Sequence, residues 1–131
     1  MKFKFRVISK NTGEQCFEEY FIDSRGVLYR QCEMDGSISP PTDREDLVVQ
    51  YATGLLDVSG KEIFEGDIVS FSYGMHEHRV DSAIGEVFFE EGIFYFGRGS
   101  MFATNDANLF EESLKIVGNI LKNPEALLAM Q

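Results

Sequence analysis

A chain of 131 residues with a formal charge of -10 has room for one domain, or one domain with an extension. Its 44% hydrophobic content and 12 phenylalanines argue against disorder over most of its length and are enough for a core without disulfides or a metal. The acidity argues against non-specific attraction to nucleic acid or to an anionic membrane, both of which need clustered lysine and arginine, and suits solubility or a partner with a basic face.

Two cysteines, Cys16 and Cys32, make no disulfide framework. Both fall in candidate strands and are expected as free, partly buried thiols of a reducing cytosol. The start, MKFKFRVISK, lacks the apolar run of a signal peptide, and no stretch approaches the ~20 apolar residues of a membrane span. The expected location is the cytoplasm, with no membrane partner.

Residues 2–8 alternate strictly, with Lys2, Lys4 and Arg6 against Phe3, Phe5 and Val7, the pattern of a half-buried strand. The basic face is either a solvated stripe answering acids such as Glu14, Glu18, Glu19 and Asp23, or a small anion-binding stripe. Asn11-Thr12-Gly13 signals a turn. Apolar runs at 16–22 and 27–32 flank Asp23-Ser24-Arg25-Gly26 as a hairpin, so a three-stranded meander is expected. Glu33 to Glu45 carries two adjacent prolines and reads as a long loop. The boundary expected from it separates an N-terminal β extension, 1–45, from a main unit, 46–131.

Residues 46–51 form a short strand, and Asp57-Val58-Ser59-Gly60 a turn with Gly60 at positive φ. Residues 67–73 follow as a strand, Gly74 to Asp81 as a polar loop, and 83–90 with 93–97 as a hairpin around Glu91-Gly92. Ile93, Phe94, Tyr95 and Phe96 are four consecutive bulky groups. A strand sends them to both faces, so either an extension or another subunit covers the second face. Residues 98–110 show no period. Residues 114–120 are a last strand with Gly118 at a bend, and Asn123-Pro124-Glu125 opens a helix that runs to Met130 at most.

Candidate chemistry is sparse. His76 and His78 share a face if Gly74–Asp81 is extended and could hold one metal ion, but a third ligand is missing. Glu62, Glu65 and Asp67 could run acid–base work or bind a hard cation; alternatively they form a polar turn in which Asp67 or Glu65 caps backbone N–H groups. No serine sits in a nucleophile elbow, and Gly97-Arg98-Gly99-Ser100 lacks the ending of a phosphate loop. No catalytic constellation and no cofactor are expected.

The block Gln50, Tyr51, Thr53, Gly54, Leu55, Asp57, Gly60, Lys61, Ile63, Phe64, Glu65, Gly66, Asp67, Ile68 and Val69 resembles the signature of the YopX-like family of phage and prophage proteins. Gly85-Glu86-Val87 and then Val117-Gly118-Asn119-Ile120 with Asn123-Pro124-Glu125 continue the pattern in order. Ala52 adds one residue to it, and the tryptophan that often follows the Lys-Phe-Arg start is absent. The resemblance implies a mainly β fold: an SH3-like small barrel with an N-terminal β extension and a short C-terminal helix. It also implies a phage or prophage origin and self-association, and it brings no catalytic residues. Four readings follow: an accessory protein working by protein–protein contact with itself or with a host or phage protein; an acidic decoy for a host nucleic-acid enzyme; a nucleic-acid-binding barrel using Lys2, Lys4, Arg6 and Arg98; and a metal or enzymatic site.

Overall fold

A computed structural model describes residues 4–74, 80–91, 93–98 and 109–128. In chain order the strands are β1 (Phe5–Ser9), β2 (Gln15–Cys16), β3 (Tyr20–Ile22), β4 (Leu28–Gln31), β5 (Ile38–Ser39), β6 (Leu47–Leu56), β7 (Glu62–Phe64), β8 (Asp67–Gly74), β9 (Val80–Glu90), β10 (Ile93–Arg98) and β11 (Leu109–Asn119). Short 3₁₀ helices span Arg44–Asp46 and Pro124–Leu128. The protein is therefore mainly β. The strands form three sheets, ordered β2-β1-β6-β7, β10-β9-β8-β11 and β3-β4-β5.

The protein includes a sheet curled into a half-barrel. Register shifts between Phe110 and Lys115, and again between Ile116 and Gly118, mark where β11 departs from an even ladder with β8. Extra residues on one strand bend it and increase its twist. The core gathers Ile63, Val69, Phe71, Val87, Phe96 and Leu114, with Leu55, Ala83, Phe94 and Ile116 packed against it. Each fully buried side chain of this size contributes ~1.5–3 kcal/mol. Ile68 and Val69 point to opposite faces of β8 yet are both fully buried, so this strand is covered on both sides.

Residues 5–8 of the expected strand lie in β1, which pairs with β6 at Val7 and Val49 and with β2 at Val7 and Cys16. The expected meander differs in one respect. The run 16–22 is split by a bend at Glu18, and β3 joins β4 and β5 instead of β1. Extending the β2 register would set Glu18 opposite Phe5, a carboxylate against an aromatic ring, so the chain turns away there.

β6 is also longer than its sequence suggests. It continues through Thr53-Gly54 by an irregularity between Ala52 and Leu56, where the Thr53 hydroxyl donates to the Ile63 carbonyl. The C-terminal segment corrects a second expectation. Pro124–Leu128 is a 3₁₀ helix, not an α-helix. Asn123, the expected cap, spends its side-chain oxygen on the Asn119 N–H at 2.7 Å. Residues 129–131 lie outside the described residues. Cys16 and Cys32 are free, the first half-buried and the second exposed. Among the described residues no helix is long and apolar enough to cross a membrane.

Candidate functional site

Four polar residues from distant parts of the chain meet between the two larger sheets. β1 places Arg6 opposite Gln50 of β6, while Asp67 opens β8 and Asn119 closes β11. The Arg6 guanidinium donates from Nη2 to Asp67 Oδ1 at 2.6 Å and from Nε to Gln50 Oε1 at 2.9 Å. Its carbon sits 4.4 Å from the centre of the Phe64 ring, a cation–π stack. Asn119 Nδ2 donates to Gln50 Oε1 at 3.2 Å and to Asp67 Oδ1 at 3.4 Å. The other Asp67 oxygen accepts the Phe64 N–H at 2.9 Å. Asp67 and Gln50 are buried, so each of these bonds replaces water that the groups have lost.

Arg6, Asp67 and Asn119 of this cluster line a groove of about 500 Å³ that also reaches Gly13, Phe17, Ile116, Lys122 and Asn123. An ion pair between Lys122 and Glu14, 2.9 Å long, links two residues of its lining. The cluster is a charge-matched joint between sheets. It presents neither a nucleophile nor an adjacent base, so its chemistry is positional.

The other carboxylates of the sequence motif have separate duties. Glu62 pairs with Lys4 at 2.6 Å. Glu65 Oε1 accepts the Tyr51 N–H at 3.0 Å, and the Glu65 N–H returns a bond to the Tyr51 carbonyl. The reading of Glu65 and Asp67 as caps for backbone N–H groups describes what these side chains do. Among the described residues no three His, Cys, Asp or Glu side chains are grouped to hold a metal ion.

Asp57 accepts four hydrogen bonds. Its Oδ1 accepts the N–H groups of Ser59 and Lys61 and the Ser59 hydroxyl, and Oδ2 accepts the Ile116 N–H. Burial pushes its pKa up, but the Ser59 hydroxyl and the N–H groups of Lys61, Ile116 and Ser59 outweigh that and hold it at about 2. A carboxylate depressed on folding stabilises fully above its unfolded value near 4, and the gain is lost as pH falls through about 2. The stability advantage of the native protein over Asp57→Asn should therefore be constant from neutrality to pH ~5 and shrink between pH ~4 and ~2. Paired thermal melts across that range check it, and an advantage unchanged at pH ~2 would contradict it.

Of the basic stripe, Lys4 and Arg6 are thus ion-paired with Glu62 and Asp67, and Lys2 lies outside the described residues. His76 and His78 also lie outside them. Ile93, Phe94, Tyr95 and Phe96 lie in β10, paired with β9 from Ile93 opposite Glu90 to Phe96 opposite Val87. Phe96 enters the core and Phe94 packs at its margin. Tyr95 stacks on Phe88 on the opposite face, with ring centres 5.1 Å apart, and Phe94 meets Phe89 at 4.7 Å. Both faces of the hairpin therefore carry rings. At its tip, Phe89 is 44% and Ile93 45% exposed. Among the described residues β10 is an outer edge of its sheet.

Gln50 and Asn119 were not legible as site residues from sequence. The available signal was a polar residue interrupting apolar strand runs, at VVQY and at KIVGN. The partner of each became visible only with the sheet order.

A family model described as YopX protein matches residues 4–128. Among solved structures, protein EF1440 from Enterococcus faecalis is similar with a TM-score of 0.58 at 23% identity, over 97% of this chain and 99% of that one. Protein YopX from Bacillus subtilis is similar with a TM-score of 0.57 at 20% identity, over 94% of each chain. At these identities the two structures speak to the fold. Among proteins with curated descriptions, none matches.

Proposed function

The chain belongs to the YopX protein family, and from that premise we propose that it is a non-enzymatic accessory protein that works by protein–protein contact and self-associates through the β9–β10 hairpin. The observation that carries this reading is the hairpin tip, an outer edge with apolar groups on both faces. A sheet edge offers a row of backbone donors and acceptors that another strand completes. A second copy is the natural occupant, because antiparallel pairing of one edge with itself is self-complementary about a two-fold axis. Phage or prophage origin and a bacterial cytoplasmic location belong to the same reading and rest on the resemblance. So does the SH3-like description, which the bent β8–β11 ladder supports.

The decoy reading requires bare carboxylates at phosphate-like spacing. Here Glu14, Asp23, Asp43, Glu62 and Asp67 are interleaved with cations, so contact is the better reading. Light scattering on the eluting protein at micromolar concentration should give a dimer or larger. Replacing both Phe89 and Ile93 by glutamate should weaken association at least ~30-fold by removing two apolar anchors. A monomeric native protein overturns the proposal.

A further inference from the structure

The third sheet has no core of its own. Between Phe17 and Asp46 every residue is described, and Pro41 alone is buried. Three short strands cannot normally stand without a packed apolar face. The cross-strand register places Phe21 opposite Tyr29 and Gln31 opposite Ile38, so Phe21, Tyr29, Gln31 and Ile38 share one face. That face looks outward: Phe21 and Ile38 are exposed, and Met34, in the turn between β4 and β5, is 96% exposed. The opposite face holds Tyr20, Ile22, Leu28 and Arg30, all half-buried. An open cleft of about 300 Å³ touches Glu18, Glu19 and Tyr20 on this arm, Lys4, and Phe5 to Val7 on β1.

Charge says what kind of surface would cover the outward face. Residues 17–46 hold eight acidic and three basic side chains, half of the chain's net negative charge. Two of the three cations are consumed internally, Arg25 by Asp23 at 2.8 Å and Arg30 by Asp43 at 3.3 Å. An apolar patch framed by excess carboxylates repels its own copy and attracts an apolar surface framed by lysine or arginine. We propose that the β3–β4–β5 arm is a docking surface for a different protein, one presenting a basic amphipathic segment, with Phe21, Ile38 and Met34 as the apolar contacts. This inference is independent of self-association through the hairpin tip.

The test uses the full chain and a short helical peptide of leucine and lysine as the probe, with a leucine–glutamate peptide as its control. Nuclear magnetic resonance shifts on adding the lysine peptide should be saturable and confined to residues 17–46. Phe21→Ser with Ile38→Ser should weaken binding about tenfold, as should Glu19→Gln with Glu33→Gln and Glu45→Gln. All five side chains are exposed or half-buried at the surface, so the variants should fold, which the unchanged spectrum of β6–β11 verifies. Absence of saturable binding, equal binding of the glutamate peptide, or shifts centred on β9–β10 would overturn the proposal. So would a native oligomer that Phe21→Ser with Ile38→Ser turns into monomers, since the arm would then be covered by a second copy.

Discussion

Asp67→Ala should lower the stability of the protein by roughly 3–5 kcal/mol, because it strands the Arg6 guanidinium in a largely dry joint. Arg6 Nη2 and the Phe64 N–H lose their acceptor together, and Asn119 Nδ2 keeps only Gln50 Oε1. The Phe64 N–H is the least replaceable, since a backbone group cannot move to water without unpairing β7. Arg6→Met should be costly for the mirrored reason, leaving a buried carboxylate with neutral donors only. The double variant Arg6→Met with Asp67→Ala should cost less than the two single losses added together, because neither charge is left stranded, although the Phe64 N–H stays without its acceptor. Urea unfolding of the four proteins closes the cycle. Loss of less than ~1 kcal/mol in Asp67→Ala would mean that the joint is wet and the pair superficial.

Gly66→Ala should be nearly as damaging, and Gly60→Ala mild, although both glycines have φ of +86°. The left-handed backbone alone penalises an alanine by about 1 kcal/mol. Nothing lies within 4 Å of the place where a Cβ on Gly60 would go, so that is the whole expected effect there. A Cβ on Gly66 would instead overlap the Gln50 carboxamide. That group cannot swing aside without releasing Arg6 and Asn119. The Gly66 N–H also donates to Val87 and its carbonyl accepts from Ile120, so the backbone is held from both sides. A further loss of ~2 kcal/mol or more is expected over Gly60→Ala. Equal melting temperatures for the two variants would show that Gln50 has room to yield.

Local pattern carried most of the strands into view. Residues 5–8 of the alternating run lie in β1, and the strands expected at 83–90 and 93–97 are β9 and β10. The bend expected at Gly118 coincides with a shift in the β8–β11 register. These features depend on neighbours in sequence. What stayed hidden depends on partners across the chain. Arg6 looked like part of a solvent-facing basic stripe because nothing local reveals that Asp67, 61 residues away, will lie against it. Asn123 is a nearer case: it looked like a helix cap, but its side chain closes the short turn after β11 on the Asn119 N–H four residues back. The break at Glu18 needed the β1–β2 register, and the coreless third sheet needed the knowledge that β3 leaves β1. The motif Gln50 to Asp67 is a construction of this kind: its carboxylates and carboxamide serve joints and turns.

The joint also dictates when the protein can become a protein. Its members are supplied at positions 6, 50, 67 and 119, so it cannot close until nearly all of the described chain has been made. A nascent chain emerging from the ribosome with β1 already exposed holds an arginine whose carboxylate and amide partners have yet to be translated. Pairings this far apart close slowly because loop entropy must be lost before contacts repay it. Closure of the joint is accordingly a late event, with Arg6 made long before Asn119 arrives, and an incomplete chain exposes unpaired strand edges for the whole interval.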